Sequence, residues 1–222
     1  MPTREVIHGD ALEWLAERSL VGASIVTSIP DVSETGLPDP AWPAWFHSAG
    51  VAVLRALPAD GIAIVTQTDI RRDGRWVDKS TMVVEAATVA GAELLARKIV
   101  CRRPPGTVSS ARAAFTHLLV FGRGVTLDQT LPDLVPDVMV DVGTLTWTRG
   151  TGSETARRCL ELVRRYAPAT KTIVDPFCGE GMVLAVANAL GFDAIGIERN
   201  RKRAEKAQRL TLEDVEVQRD TS

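Results

Sequence analysis

The sequence predicts an α/β protein in which a mostly parallel sheet carries helices on both faces. Short apolar runs such as ASIVT at 23–27 and GIAIVT at 61–66 are typical of strands buried on both sides. Longer segments with apolar residues at helical spacing separate these runs. The segment 171–200 contains two strand–helix steps in about thirty residues, which is half of a nucleotide-binding sheet.

Length and composition favour one globular domain spanning 1–222. Of the 222 residues, 45% are hydrophobic and 24% are charged, which is ordinary for a soluble domain of this size. No apolar run approaches the roughly 18 residues of a membrane span, and the start, MPTREVIHGD, lacks a signal-peptide core. Three cysteines without paired or metal-ligand spacing favour an intracellular, most simply cytoplasmic, protein with no metal site.

The N-terminal half, about 1–124, is predicted to hold the first set of elements. Pro30 ends the second strand because proline cannot continue a central strand. Two alternating segments separated by a Pro-Pro-Gly loop predict an antiparallel pair. We expect strands at 5–8, 23–27 and 61–66, helices at 11–18, 41–57 and 80–96, loops at 32–43 and 67–79, and the antiparallel pair at 98–103 and 114–121.

The C-terminal part is predicted to begin with an irregular connector at 125–152 that contains proline and aspartate. A half of the domain at 153–212 follows it, with helices at 153–166, 182–190 and 199–212 and strands at 172–174 and 194–197. The last residues, 213–222, are expected to be a frayed tail.

The segment DPFCGEG at 175–181 is the first candidate ligand site. Glycine at a strand–helix turn lets a ligand approach the backbone because no Cβ stands in the way. Asp175 at the strand tip and Glu180 inside the turn would repel phosphate, which favours a ligand with a cationic group and a ribose. Glu198 lies where such folds place the carboxylate that accepts from ribose hydroxyls. A plain tight turn and a dinucleotide site are the alternatives.

The stretch DPFCGEGMVLAVANALGFDAIGIE at 175–198 resembles the cofactor motif of nucleic-acid amino-methyltransferases, in which Asp-Pro-Phe-x-Gly-x-Gly precedes Gly-Ile-Glu. The segments at 5–31 and 39–66 resemble the opening of those members whose chain order is circularly shifted. The likeness runs in order from about residue 5 to 210. It implies a Rossmann-like class I methyltransferase fold and S-adenosylmethionine as the cofactor.

The resemblance also implies the residues that bind this cofactor. Asp10 matches an acid that reaches the adenine amine in the family, although it would serve equally well as the N-cap of the helix at 11–18. Relatives commonly have Lys-Pro where this chain has RGTGSE at 149–154. The contacts that relatives make there to the methionine end of the cofactor are therefore not implied for this chain. The implied set is Asp10, Ala11, Asp175, Pro176, Phe177, Gly179, Gly181, Glu198 and Arg199.

The tetrapeptide Ser28-Ile29-Pro30-Asp31 matches the family's catalytic motif, which reads Asp, Asn or Ser, then Pro-Pro, then an aromatic residue. In relatives a side-chain oxygen and a backbone carbonyl accept the hydrogens of an exocyclic amine, which localises its lone pair toward the methyl donor. The aromatic ring stacks on a base taken out of its helix. Ser28 resembles the serine form common among N4-cytosine enzymes, and Ile29 still provides a carbonyl.

Asp31 departs from this motif because a carboxylate cannot stack. Either an aromatic residue from elsewhere, among Trp42, Trp45, Phe46 and Trp76, covers the base, or the substrate is not a base of the usual kind. The carboxylate could accept from the amine or take a proton after transfer. The alternative is a helix or turn cap in an inactive relative.

The sequence therefore predicts a methyltransferase acting on an exocyclic amine of a nucleic-acid base, with cytosine N4 favoured over adenine N6. A net charge of −2 does not favour binding a polyanion, although 69–123 carries ten Lys and Arg against five acids. The weak charge and the lack of a long recognition segment favour RNA slightly over DNA as the substrate. Alternatively, a homodimer or a separate recognition subunit would supply the recognition. Candidate substrate contacts are Trp42, Trp45, Arg71, Arg72, Arg102 and Arg103.

Two other functions remain open at this point. One is a cofactor-binding subunit or scaffold without activity, which the departure at Asp31 suggests. The other is methylation of a protein or a small molecule in the same pocket.

Overall fold

The computed structural model describes residues 1–127 and 135–215. Its strands are β1 (Arg4–His8), β2 (Ala23–Thr27), β3 (Ile62–Gln67), β4 (Ile70–Arg72), β5 (Arg75–Val77), β6 (Glu93–Cys101), β7 (Phe115–Gly122), β8 (Val138–Met139), β9 (Thr172–Asp175) and β10 (Asp193–Glu198). Its helices are α1 (Ala11–Ala16), α2 (Val32–Thr35), α3 (Trp42–Arg55), α4 (Lys79–Ala90), α5 (Ser153–Tyr166), α6 (Met182–Ala189) and α7 (Arg201–Arg209).

The described strands other than β4 and β5 form one sheet in the order β1-β10-β9-β2-β3-β7-β6-β8. The five strands from β1 to β3 in that order are parallel, whereas β7 runs antiparallel to both β3 and β6. The predicted mostly parallel sheet with an antiparallel pair is confirmed. The N-terminal strand β2 lies between β3 and the C-terminal strand β9, so the two halves of the chain share one sheet.

Helices cover both faces because consecutive strand side chains point to opposite sides. Along β3, Ala63 and Val65 face the apolar cluster formed with α1, α3 and α4. Ile62 and Ile64 face the cluster formed with α5, α6 and α7. These four side chains are fully buried, which explains why the central strands read as continuous apolar runs.

Two segments predicted as loops contain regular structure. Within 32–43 the single turn α2 begins at its N-cap Asp31, and the side chain of Glu34 completes a capping box. Within 67–79 the hairpin of β4 and β5 turns at Asp73 and Gly74, which have φ of +48° and +74°. Aspartate followed by glycine is a common two-residue hairpin turn, so this signal was present in the sequence.

Several predicted boundaries also shift. The helix expected over 80–96 ends at Gly91, whose φ is +71°, and β6 then occupies the residues from Glu93. Helix α1 is two residues shorter than expected, and α7 is narrower than 199–212. Residues 128–134 of the predicted connector and 216–222 of the predicted tail lie outside the described residues.

The close contact between the start of α6 and helix α7 depends on Gly181. Its φ is +89°, and a Cβ at this position would lie 2.6 Å from the Cα of Ala207. Both the backbone conformation and the space therefore require glycine. Gly191 has a similar φ of +87° but no heavy atom within 4 Å of such a Cβ.

We expect Gly181→Ala to lower the free energy of unfolding by roughly 2–4 kcal/mol, because it adds a backbone clash to left-handed strain. Gly191→Ala is the matched control and should lose about 1 kcal/mol from the strain alone. Urea unfolding of both variants measures the difference. Equal losses of unfolding free energy in the two variants would show that the contact between Gly181 and α7 can relax at no energetic cost.

Candidate active site

The site forms where β2 and β9 end at the same edge of the sheet. These parallel neighbours pair Ile25 with Val174, so Thr27 and Asp175 each lie within two residues of this pair on their own strands. The Thr27 hydroxyl donates a buried hydrogen bond of 2.6 Å to Asp175 Oδ1. The predicted tetrapeptide, which starts at Ser28, therefore leaves the sheet next to the glycine bend.

A cleft of about 360 Å³ lies at this edge of the sheet. Its volume is in the range of small-molecule and cofactor sites. Of the residues that the sequence predicted, it is lined by Asp10, Ala11, Ser28, Pro30, Trp45, Asp175, Pro176, Phe177, Gly179, Glu198 and Arg199. Gly181 instead packs against α7 and acts on the cleft only by shaping the bend.

Asp175 is the buried charge at the base of the cleft. Its side chain is 4% exposed, and besides Thr27 the backbone N–H of Phe177 donates to Oδ1 at 3.2 Å. Burial and, to a smaller extent, the nearby charge of Glu198 raise the pKa of Asp175 to about 7, against the two hydrogen bonds. A cation bound in the cleft would favour the ionised carboxylate.

The rim of the cleft is formed by the ends of β1 and β10. Asp10 caps α1, accepting from Leu12 N at 2.8 Å, and its carboxylate also lines the cleft, so the capping role and the predicted binding position coexist. Glu198 Oε1 accepts from the backbone N–H of Asn200 at 2.7 Å, which fixes this carboxylate. Arg199 donates to the carbonyl of Thr35 at 2.9 Å and so joins β10 to α2.

Trp147 and Arg203 also line the cleft, and the sequence did not indicate either of them. The Arg203 guanidinium lies 4.3 Å from the centroid of the Trp147 ring. A Cβ added to Gly179 would lie 3.7 Å from Trp147 Nε1, so the indole borders the glycine bend. Trp147 lies in the irregular connector and Arg203 in a helix rich in basic residues. No spacing signal distinguished them.

The tetrapeptide carbonyls are held by side chains from the neighbouring elements. The buried Gln67 donates from Nε2 to the carbonyl of Ile29 at 3.0 Å, and Trp42 Nε1 donates to that of Pro30 at 3.3 Å. The Ile29 side chain is itself buried. Gln67 thus holds the predicted acceptor, a carbonyl oxygen with two lone pairs, but Ile29 is not among the residues that line the cleft.

Asp31 has the capping role that the sequence left as the alternative. Its side chain is 2% exposed, accepts from Ser33 N at 2.9 Å and from the Ser33 hydroxyl, and forms an ion pair with Arg112. Burial raises the pKa of Asp31, but Ser33, Lys79 and Arg112 together hold it below its ordinary value. Among the described residues, the Asp31 carboxylate is not part of the cleft lining. It is therefore not placed to accept from the amine or to take its proton.

The candidate aromatic residues differ in what they can reach. Trp42 and Phe46 are 1% and 0% exposed and pack together in the core, so the prediction that Trp42 contacts a base is wrong for this conformation. Trp45 lines the cleft and meets the ring of Phe177 edge-on at 6.2 Å. Trp76 is 46% exposed on β5.

The predicted arginines separate into two groups. Arg71 lies over the ring of Trp76, Arg72 pairs with Asp39, and Arg103 is exposed, all away from the cleft lining. Arg102 donates to the carbonyls of Gly150 and Thr148 at 3.3 and 2.9 Å. Burial and then the charge of Arg112 lower the pKa of Arg102.

A small polar cavity adjoins the cleft at Ser28. Ser28 and Arg149 line both the cleft and this cavity, and Arg102 lines the cavity together with several threonine hydroxyls. Arg149, in the segment where relatives have Lys-Pro, donates to the Ser33 hydroxyl at 2.8 Å. The small cavity beside Ser28 therefore carries two arginines, Arg102 and Arg149, although the chain as a whole has a net charge of −2.

Within residues 1–127 and 135–215, no three His, Cys, Asp or Glu side chains are grouped so that they could hold a metal ion. The three cysteines there are unbridged. No helix in the same part of the chain has the length and apolarity needed to cross a bilayer.

Comparison with known proteins supports the resemblance. A family model described as DNA methylase, for the N6 and N4 methyltransferases, matches residues 154–209, from α5 to α7. Across the fold, the chain superposes on a candidate DNA modification methylase from Thermus thermophilus with a TM-score of 0.70, at 20% identity over 93% of each chain. A search of curated protein sequences found no match.

Two further solved structures are similar. The cytosine-N4-specific PvuII DNA methyltransferase gives a TM-score of 0.72 at 14% identity, covering 98% of this chain and 91% of that one. The complex of M1.HpyAVI with S-adenosylmethionine gives 0.63 at 12% identity, covering 93% and 98%. At these identities the likeness defines the fold, which is that of the class I methyltransferases, as the sequence predicted.

The chain has the fold of the class I methyltransferases, and its part near the C-terminus matches the family model of the N6 and N4 methyltransferases. The fold and the cofactor motif together support a methyltransferase that uses S-adenosylmethionine. The predicted leaning toward RNA gains no support, because the matching family model and the similar structures are DNA methylases by name.

The cleft fits S-adenosylmethionine in shape and charge. Asp175 and Glu198 place carboxylates in the cleft lining at the ends of the neighbouring strands β9 and β10, which suits a ligand with a cationic group and a ribose. Gly179, with φ of +55°, forms the bend without a side chain.

We expect Asp175→Asn to stabilise the protein without cofactor above neutral pH. Because folding raises the pKa of Asp175 from 3.8 to about 7, stability present below pH 4 is lost as pH rises toward 7. Asparagine keeps an acceptor for Thr27 and does not ionise. Its free energy of unfolding at pH 8 should exceed that of the wild type by roughly 1–3 kcal/mol, shrinking toward pH 4, in urea titrations. A difference independent of pH would contradict the assignment.

The affinity for S-adenosylmethionine should fall as pH falls below about 7. The cationic ligand favours the ionised form of Asp175, so protonation competes with binding. Calorimetry should give a Kd roughly tenfold higher at pH 6 than at pH 8, with proton release on binding near pH 7. In Asp175→Asn, binding should be weak at both pH values. A pH-independent Kd in the wild type would place the cation elsewhere.

Proposed function

We propose that the protein transfers a methyl group from S-adenosylmethionine to an exocyclic amine of a base in DNA, with cytosine N4 favoured. One observation carries this proposal. Ser28, where the target amine would be held, lines the same cleft as the carboxylate-tipped glycine bend, and the hydrogen bond from Thr27 to Asp175 joins the two.

The chemistry needs an amine whose lone pair is directed at the methyl group. Ser28 Oγ, which lines the cleft, would accept one hydrogen of the amine, and the Ile29 carbonyl, held by Gln67, is the acceptor that we propose for the other. When bound beside Asp175 and Glu198, the cofactor would supply a methyl carbon on a sulfonium, so that the C–S bond would break as the C–N bond formed and the amine proton would pass to water. The chain's contribution is placement and electrostatics.

Charge favours a nucleic acid as the substrate, and similarity favours DNA. Arg102 and Arg149 line the cavity beside Ser28, and arginines at such a position can contact phosphates. Two of the similar structures are DNA methylases by name, and the PvuII enzyme is cytosine-N4-specific by name. Serine in the first position of the tetrapeptide agrees with that preference.

The deciding experiment incubates the purified protein with methyl-labelled S-adenosylmethionine and four acceptors. These are unmodified duplex DNA, single-stranded DNA, total RNA and total protein. Nucleoside mass spectrometry should find N4-methylcytosine in DNA. N6-methyladenine would change the base, and label in RNA or protein alone would overturn the proposal. Cofactor binding without transfer to any acceptor would indicate a non-catalytic subunit.

We propose that the chain recognises its DNA as a homodimer or together with another subunit, since no loop within residues 1–127 and 135–215 has the length of a separate recognition domain. The mass of the complex on duplex DNA, from analytical ultracentrifugation, tests this. A single protein chain per DNA with full sequence selectivity would contradict it.

We expect Ser28→Ala to lower kcat by about 100-fold, because it removes one of the two acceptors that orient the amine. The Kd for S-adenosylmethionine should stay within about twofold of the wild type, since the glycine bend is untouched. Ser19→Ala, an exposed serine after α1, is the matched control and should leave both quantities unchanged. Unchanged turnover in Ser28→Ala would remove Ser28 from the site.

A further inference from the structure

The surface at the fourth position of the tetrapeptide is formed by Arg112. The Asp31 side chain is 2% exposed, whereas that of its partner Arg112 is 41% exposed. A substrate that approaches this corner would therefore meet the guanidinium and not the carboxylate.

Arg112 is fixed at both ends. Its backbone pairs with Ile70, and on either side of it Ala111 accepts from Arg71 N at 2.8 Å and Ala113 donates to the carbonyl of Asp69 at 3.0 Å. Its guanidinium is held by Asp31. Asp31 in turn is held by Ser33 and by the capping box of α2. The guanidinium plane is thus positioned before any ligand binds.

A chain of contacts joins this guanidinium to the cleft. Arg112 pairs with Asp31, Asp31 accepts from the Ser33 hydroxyl, and Ser33 lines the cleft together with Ser28, whereas Arg112 itself is outside the lining. Trp42 and Phe46 are buried in the core, and Trp76 is on the β4–β5 hairpin beneath Arg71. Trp45 lines the cleft, but its ring packs edge-on against Phe177 of the glycine bend.

We infer that the guanidinium plane of Arg112, held by Asp31, is the surface on which the target base lies beside Ser28. An arginine plane stacks on bases much as an aromatic ring does. It also adds a positive charge, which suits a nucleotide with its phosphates. Asp31 is then a positioning residue. This inference rests on the proposed function, since it requires a base as the substrate.

The first test compares Arg112→Lys with Arg123→Lys. Lysine keeps the charge beside Asp31 but removes the plane, so kcat/KM for duplex DNA should fall roughly 10- to 100-fold. The Kd for S-adenosylmethionine and the thermal midpoint should remain close to those of the wild type. Arg123 is an exposed arginine at the opposite end of the sheet that donates to the carbonyl of Arg55, and its replacement should leave kcat/KM unchanged.

The second test restores a ring. Arg112→Ala should lose at least as much kcat/KM as Arg112→Lys, and Asp31→Phe combined with Arg112→Ala should recover most of the loss. If Arg112 only ties its loop to Asp31, the double variant is no better than the single one. Should Arg112→Ala fail to fold, as judged by its thermal midpoint, Arg112→Lys decides alone.

The outcomes separate the two proposals. A wild-type protein that methylates no nucleic acid overturns the proposed function and this inference with it. A wild-type protein that methylates DNA, together with fully active Arg112→Lys, overturns only the assignment of Arg112.

Discussion

The hydrogen bond from Thr27 to Asp175 is the constraint on which the site depends. It is buried and joins residues 148 positions apart. Its net contribution to stability is about 1 kcal/mol, typical of such a bond, so position matters here more than energy. It fixes the end of β2, which leads into the tetrapeptide, against the end of β9, which leads into the glycine bend. Any shift in the pairing of β2 with β9 would separate the two corners.

The pairing of β2 with β9 also explains how the glycine bend near the C-terminus comes to lie beside the tetrapeptide near the N-terminus. In the sheet, β2 lies between β9 and β3, so strands that are far apart in the sequence become neighbours. Loop-closure entropy grows only slowly with separation, and the apolar faces of the central strands offset it. The arginines near the tetrapeptide are assembled in the same way, since Arg102 and Arg149 line the cavity beside Ser28 and Arg112 pairs with Asp31.

The sequence predicted the central sheet and the glycine bend because both leave local signals. Buried strands are continuous apolar runs, and a bend with positive φ requires glycine. The signals for the cap at Asp31 and the turn at Asp73 are also local, but they border or lie within segments that the sequence predicts as loops. Trp147 and Arg112 could not be predicted, because their roles come from partners that only the tertiary structure supplies.

The departure at Asp31 shows why a motif residue is best interpreted with its partner. A carboxylate that is almost fully buried needs a cation or hydrogen-bond donors, because an unpaired buried charge is costly. Replacing an aromatic residue with an acid at this corner therefore calls for a basic residue beside it, and Arg112 meets that need. The ion pair that satisfies the buried charge also brings a planar guanidinium to the fourth position of the tetrapeptide. In the assignment that we propose, a change that removes a ring from the motif keeps a flat surface there, supplied by a residue 81 positions away.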